Sequence, residues 1–326
     1  MLVTGISIII CTYNGELRLP ITLEYISKLR FEGPWELLIV DNASKDNSNF
    51  IAQEFFKGNP IIQGKVVFEP NAGLTHARQK GWRTANYDIV LFCDDDNWLC
   101  SDYLTVGYSI FKSHSKVGIL GGCGEPVSEV QFPDWFAEFS HSYAVGNNGK
   151  TSGKLEKGAA HYGAGCFFLR KALLQLDQLK TRLILTDRKG NELVSGGDVE
   201  LCYLVQLLGY DLWFESKLKF QHFIPLGRLD WQYYLKLKKG IASSFPLLFS
   251  YKVVFMGTSK MQLRAEIILK LWYSFKGYLL CQYRNFASPT KRNEVQLIEN
   301  SQKLKSFFKN YKKTLSHFEW LNSRFD

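Results

Sequence analysis

Three consecutive carboxylates, Asp94-Asp95-Asp96, end an apolar run of strand length that extends from Ile89 to Cys93. In an α/β protein, ligands gather beyond the carboxyl ends of parallel strands, so this placement puts the acids at the mouth of a cleft. Adjacent anions repel one another and gain little by packing. A divalent cation removes that cost, and the alternate carboxylates of Asp94 and Asp96 suit Mg²⁺ or Mn²⁺ held beside a substrate phosphate. The competing reading of the same residues is a solvated acidic turn that caps the following helix.

The elements around the acids repeat one pattern. Gly5 to Cys11 is a β-branched run suited to a strand buried on both faces, and Thr12-Tyr13-Asn14-Gly15 breaks it. A helix follows with Leu19, Leu23 and Ile26 on one face. Trp35 to Val40 is the second strand. It ends in Asp41-Asn42-Ala43-Ser44, a group suited to capping the helix that carries Ile51, Phe55 and Phe56. Lys65 to Phe68 makes a short third strand, followed by Asn71-Ala72-Gly73-Leu74 and a helix holding His76, Arg78 and Lys80. Strand and helix in alternation predict a parallel sheet with right-handed crossovers, every polar strand end lining one rim.

Beyond Leu120 the pattern loosens. Gly121-Gly122-Cys123-Gly124 is followed by Glu125-Pro126 where a dinucleotide-binding helix would start, so it predicts a turn. Gly146 to Gly153 predicts a mobile loop over the cleft. Ala164 to Arg170 returns to strand character. Ser195-Gly196-Gly197-Asp198 predicts the cap of a helix from Val199 to Leu208, and Leu218 to Phe223 a last strand. From Arg228 the pattern is helical. Ile267, Ile268, Leu271, Trp272, Phe275, Tyr278 and Leu279 form a predicted apolar face opposite Lys270, Ser274 and Gly277.

Of the 326 residues, 46% are hydrophobic and 22% charged, the balance of a globular chain. The net charge of +9 is unevenly spread. Met1 to Gly227 holds 22 Lys and Arg against 25 Asp and Glu, whereas Arg228 to Asp326 holds 18 against 6. The last hundred residues therefore carry all the excess and predict a surface that meets anions. Seven cysteines without C-x-x-C spacing suit a reducing compartment, not a disulfide frame or a zinc site. The opening residues enter a strand with no basic n-region, so no signal peptide is expected. Lys252, Glu266, Lys270 and Lys276 interrupt the longest apolar windows, which argues against a membrane span.

Taken in order, Ser7-Ile8-Ile9-Ile10-Cys11-Thr12-Tyr13-Asn14, Val40-Asp41-Asn42-Ala43-Ser44-Lys45-Asp46, Asn71-Ala72-Gly73-Leu74 and Asp94-Asp95-Asp96 resemble the family 2 nucleotide-diphospho-sugar glycosyltransferases. Gly163-Ala164-Gly165-Cys166 and Ser195 to Glu200 are similar to that family's acceptor-side and base segments. The resemblance covers roughly residues 4–230 and implies an α/β, Rossmann-like GT-A fold: a central, mostly parallel sheet flanked by helices. It divides the chain into a transferase domain, 1–229, and a basic, amphipathic helical C-terminal region, 230–326. Within the first, 1–122 would bind the nucleotide-sugar, and 123–229 would supply acceptor and catalytic groups.

Residue by residue, the resemblance implies that Thr12 and Asn14 meet the nucleotide and that Asp41 receives the base through its ring N–H. Asn71, Gly73 and Arg78 would flank the ribose and diphosphate. Asp94 and Asp96 match the D-x-D acids, with Asp96 the direct ligand of Mn²⁺ or Mg²⁺, and Asp94, with Asp95 beside it, on the nucleotide-sugar. Asp198 falls at the general base. It follows Gly197, where many relatives have Glu, so it would be the single carboxylate in that role. His222 would contact metal or diphosphate, and Trp135 and Gly165 the acceptor. The residues themselves leave blander roles open: Asp198 and Asp41 as caps, His222 as a hydrogen-bonded core histidine, Trp135 as packing.

The implied function is inverting, metal-dependent transfer of one sugar, from a UDP-sugar by preference, in bacterial surface glycan assembly. The acceptor would be a hydroxyl of a saccharide or polyprenyl-linked saccharide. The Gln-x-x-Arg-Trp signature of processive synthases is missing. A sugar-1-phosphate nucleotidyltransferase is disfavoured by Thr12-Tyr13-Asn14-Gly15-Glu16 where that class has a basic Gly-rich loop. A non-catalytic nucleotide-sugar-binding relative is the other alternative. No nucleic-acid motif or P-loop is present, so no nucleic-acid partner is expected. Trp272, Tyr273 and Tyr278 among the C-terminal cations suit a cytoplasmic protein lying on the inner face of the plasma membrane; a helical cap on the core or a second subunit is the competing use.

Overall fold

The computed structural model describes residues 3–147, 151–181, 183–185 and 195–325. Its first part alternates strand and helix: β1 (Ile6–Thr12), α1 (Leu19–Ser27), β2 (Trp35–Asp41), α2 (Ser48–Gly58), β3 (Gly64–Phe68), α3 (Leu74–Thr84) and β4 (Ile89–Asp94). Ile8, Ile9 and Ile10, Leu37 to Val40, and Ile89 to Leu91 are all fully buried, as strands covered by helices on both faces must be. β1 pairs in parallel with β2 and with β4, and β2 with β3. The register sets Thr12 beside Asp41 and Cys11 beside Asp94, so three polar strand ends share one rim. Winding runs outward from β1 through β2 to β3 and then resumes at β4 on the other side of β1. In sheets wound this way, that switch point is where ligands bind.

The second part adds β5 (Asn97–Leu99), α4 (Tyr103–Ser113), β6 (Val117–Val127), α5 (Phe136–Phe139), β7 (Gly146–Asn147), β8 (Gly153–Lys154), β9 (Cys166–Leu169), α6 (Arg170–Gln178), α7 (Gly197–Leu207) and β10 (Asp211–Phe223). The sheet order is β3-β2-β1-β4-β9-β6-β10-β5, with β7 on β6 and β8 on β10. β9 is antiparallel to both its neighbours, while β6 and β10 are parallel.

Several local expectations are corrected. Gly121 to Gly124 is no turn but the middle of β6. Its glycines serve close approach: a Cβ at Gly121 would lie 2.4 Å from the His161 ring, and one at Gly122 2.1 Å from the Leu218 carbonyl oxygen. The ends of the Gly146 to Gly153 stretch are paired as β7 and β8 rather than loose; Asn148, Gly149 and Lys150 lie outside the described residues. α2 begins only at Ser48, so Asp41 to Ser44 cap no helix, and Asp46 accepts from the Ser48 amide instead. α7 begins at Gly197, which places Asp198 inside its first turn and not at its cap.

Three helices close the chain: α8 (Trp231–Phe255), α9 (Lys260–Ala287) and α10 (Lys291–Phe325). Tyr251 and Leu321 join the core of the sheet, while Phe249, Val253, Leu263, Ile267, Phe307 and Phe318 form a core between the helices. The face of α9 that packs is largely not the predicted one. Leu263, Ile267, Ser274 and Cys281 are buried, but Ile268, Trp272, Phe275 and Leu279 face solvent. Small residues win because they let helices approach closely: a Cβ at Gly277 would already meet Asn300 of α10 at 3.0 Å. Among the described residues no helix is long and apolar enough to cross a membrane.

Candidate active site

The acids after β4 point in three directions, and each meets its own arginine. Asp94 Oδ1 lies 3.7 Å from Arg78 Nη2. Asp95 accepts from Thr12 Oγ1 at 2.7 Å and from Arg18 Nε and Nη2 at 2.9 and 3.0 Å. Asp96 Oδ2 accepts from Arg228 Nη1 at 2.9 Å, and its Oδ1 is 3.5 Å from His222 Nε2. The turn between β4 and β5 parts the three side chains, and the Asp95 carboxylate locks the tip of β1 to the start of α1. Arg18 and Arg228 escaped the sequence reading. Arg228 is 132 residues from Asp96, and no spacing rule links them.

At the β2 end of the rim, Asp41 is buried; Oδ1 accepts from the Ser44 amide and Oδ2 from Asn49 Nδ2. Asn14 and Ala43 both hold left-handed backbone, φ 48° and 59°. Such strain costs about 1 kcal/mol or more per residue and gathers where a loop must be held open for a ligand. Asn14 Oδ1 ties the two tips together by accepting from the Lys45 amide. Asn71 lies exposed beside them, held by Glu69, and its carbonyl accepts from Asn42 Nδ2. Asn42 Oδ1 accepts in turn from the Gly73 amide, and Gly73 opens α3 at φ 133°.

Arg78, buried on α3, connects the two sides of the cleft. Its guanidinium stacks 5.2 Å from the Phe92 ring centre and packs so close to Gly163 that a Cβ there would sit 2.4 Å from Nη2. The Gly163 amide donates to Asp198 Oδ2 at 2.8 Å. Asp94, Arg78, Gly163 and Asp198 thus form one chain of contacts from β4 to α7. Behind it, Glu200 on the same helix is fully buried and accepts from the Ile184 and Leu185 amides and the Tyr251 hydroxyl. That carboxylate, missed in the sequence, ties α7 to α8. Gly165, at φ 62°, accepts from the Tyr103 hydroxyl at 2.5 Å. Trp135 is half-buried in an aromatic cluster, its ring 5.1 Å from Trp231 and 5.4 Å from Tyr234.

Asp94, Asp96 and His222 offer oxygen and imidazole donors that suit Mn²⁺ or Mg²⁺. His222 Nδ1 donates to the Tyr143 carbonyl at 2.6 Å, which fixes the orientation of the ring. Nε2 then faces Asp96 Oδ1. The donor chemistry fits. Among the described residues no three such groups converge closely enough to hold an ion, and Asp96 is paired with Arg228. Burial pushes the nearby thiols of Cys11 and Cys202 up to about 12, so neither is a nucleophile.

Comparisons with known proteins agree with this architecture. The protein EpsH of Bacillus subtilis is 31% identical over 99 residues, covering 30% of this chain and 28% of that protein. The chain thus matches less than a third of that relative's length. The mannosyltransferase PcManGT of Pyrobaculum calidifontis, solved with GDP-Man and Mn²⁺, superposes with a TM-score of 0.57 at 17% identity over 98% of this chain and 86% of that one. Staphylococcus aureus TarS with UDP-GlcNAc superposes with a TM-score of 0.51 at 14% identity, over 94% and 92%. These structural likenesses concern the fold, which is GT-A. The model of the family described as "Glycosyl transferase family 2" matches residues 7–176, more than half of the chain, and the chain belongs to that family of glycosyltransferases.

Proposed function

We propose that the protein moves one sugar from a nucleotide-diphosphate donor, a UDP-sugar by preference, to a hydroxyl of a saccharide or lipid-linked saccharide, inverting the anomeric centre. The observation that supports this reading is the contact chain from Asp94 through Arg78 and Gly163 to Asp198, which links the acids at the end of β4 to a carboxylate on α7. UDP-GlcNAc in TarS and GDP-Man with Mn²⁺ in the mannosyltransferase support a nucleotide-sugar donor on this fold.

In this reading Asp41 accepts the base N–H, while Asn14, Asn71 and Gly73 shape the nucleoside site. Thr12 and Asp95, hydrogen-bonded to each other, line the same nucleotide-sugar site. Asp94, Asp96 and His222 would hold Mn²⁺ or Mg²⁺, which supplies Lewis-acid stabilisation of the leaving diphosphate. Arg78, and Arg228 once free of Asp96, add positive charge there. Asp198 takes the acceptor proton during attack, with the Gly163 amide fixing its rotamer. Trp135 and Gly165 border the acceptor. The basic C-terminal helices hold the protein at the inner face of the plasma membrane, where a polyprenyl-linked acceptor is presented.

Transfer from UDP-α-sugars to a saccharide, followed by product NMR, tests the reading. A β-linked product is expected; an α-linked one would overturn inversion, and release of nucleoside monophosphate in place of the diphosphate would overturn the transferase reading itself.

A further inference from the structure

α9 carries two apolar stripes. One packs on its neighbours through Leu263, Ile267, Ser274 and Cys281. The other, on the opposite side at spacings of three, four or seven residues, contains Met261, Ile268, Trp272, Phe275, Leu279 and Phe286, exposed from 44% at Phe275 to 89% at Phe286. A stripe of this length along one helix is far more apolar surface than scattered exposed residues provide.

We infer that this outward face of α9 seats in an anionic lipid surface. The inference rests on the membrane-bound reading above and adds the face that makes the contact. Charge selects the occupant. α9 bears Lys260, Arg264, Lys270, Lys276 and Arg284 against the single acid Glu266, within a region of 18 cations and 6 acids. Two copies pressed face to face would bring like charges together with few acids to pair them, whereas anionic headgroups complement them. Indole and phenyl rings flanked by Lys and Arg are the composition of a helix lying in the interface. Lys276 already lies 4.9 Å over the Trp272 ring, its charge at the border of the stripe. Position agrees with delivery of a lipid-linked acceptor. Where α9 hands over to α10, Lys291 lies over Trp231 and Arg292 pairs with Glu138, so this end of the stripe adjoins the aromatic segment around Trp135.

Flotation of the full chain with vesicles of phosphatidylcholine, with and without phosphatidylglycerol, tests this at low salt. The wild type is expected to float with the anionic vesicles only. The triple variant Trp272→Glu, Phe275→Glu, Leu279→Glu, compared below its own measured melting transition because the three side chains are only about half exposed, should lose at least roughly tenfold in vesicle-bound fraction. Equal flotation of the variant would overturn the assignment to α9 while leaving the membrane reading standing. No flotation of the wild type would end both. A dimer in sedimentation that the triple variant splits would give the face to a second copy. Transfer to a soluble saccharide without vesicles reports separately on the transferase reading.

Discussion

Arg228 Nη1 donates to Asp96 Oδ2 over 2.9 Å, and the carboxylate it neutralises is almost wholly buried. The arginine stands where the account places a divalent cation. Arg228→Gln therefore leaves a buried anion and should cost about 2 to 3 kcal/mol. Mn²⁺ should then raise the melting temperature of the variant by more than that of the wild type. An equal metal response in both proteins would remove Asp96 from the ligand set.

Asp198→Asn keeps an acceptor for the Gly163 amide but cannot take a proton. Donor affinity should be unchanged and transfer slower by about 10² to 10⁴. Calorimetric donor titration beside a nucleotide-release assay separates the two; undiminished turnover would exclude Asp198 as base.

Much of the frame could be read in advance from apolar runs that stop abruptly. β1, β2 and β4 end at Thr12, Asp41 and Asp94, and a parallel sheet must bring such ends together. What could not be read were long-range choices between equivalent residues. Asp95 looks like its neighbours, yet Thr12 and Arg18 claim it. Both stripes of α9 are apolar enough to pack, and the closer approach allowed by Ser274 and Gly277 decides between them. Gly121 to Gly124 follows turn composition, while the bulk of His161 and the Leu218 backbone requires glycine inside a strand.

Gly165 tests one of those steric demands beside the site. A Cβ there would be 2.6 Å from the Tyr103 hydroxyl, on backbone at φ 62°. Gly165→Ala should lose about 2 to 4 kcal/mol, against about 1 for Gly209→Ala, which has open space at φ 90°. Urea midpoints compare the two directly.

Burial pushes His161 down to about 4 from an ordinary 6.5; burial, then Lys313, does the same to His317. The unfolded chain takes up these protons before the folded one does. Their stabilisation is therefore complete above pH 6.5 and lost progressively as pH falls toward 4, up to about 3 kcal/mol for each. Urea unfolding at about pH 7 and pH 4.5 should show the drop, and His161→Gln should make it shallower.

The central claim is a nucleotide-diphosphate cleft completed by a metal at Asp94 and Asp96. Thermal-shift titration of UDP, GDP, dTDP and CDP, each with and without Mn²⁺, tests it most directly, since ligand binding raises the melting temperature with RT ln(1 + [L]/Kd). A Mn²⁺-dependent shift is expected with one nucleotide, UDP foremost, and is lost in Asp96→Ala. No shift with any of the four, or one that survives in Asp96→Ala, would contradict it.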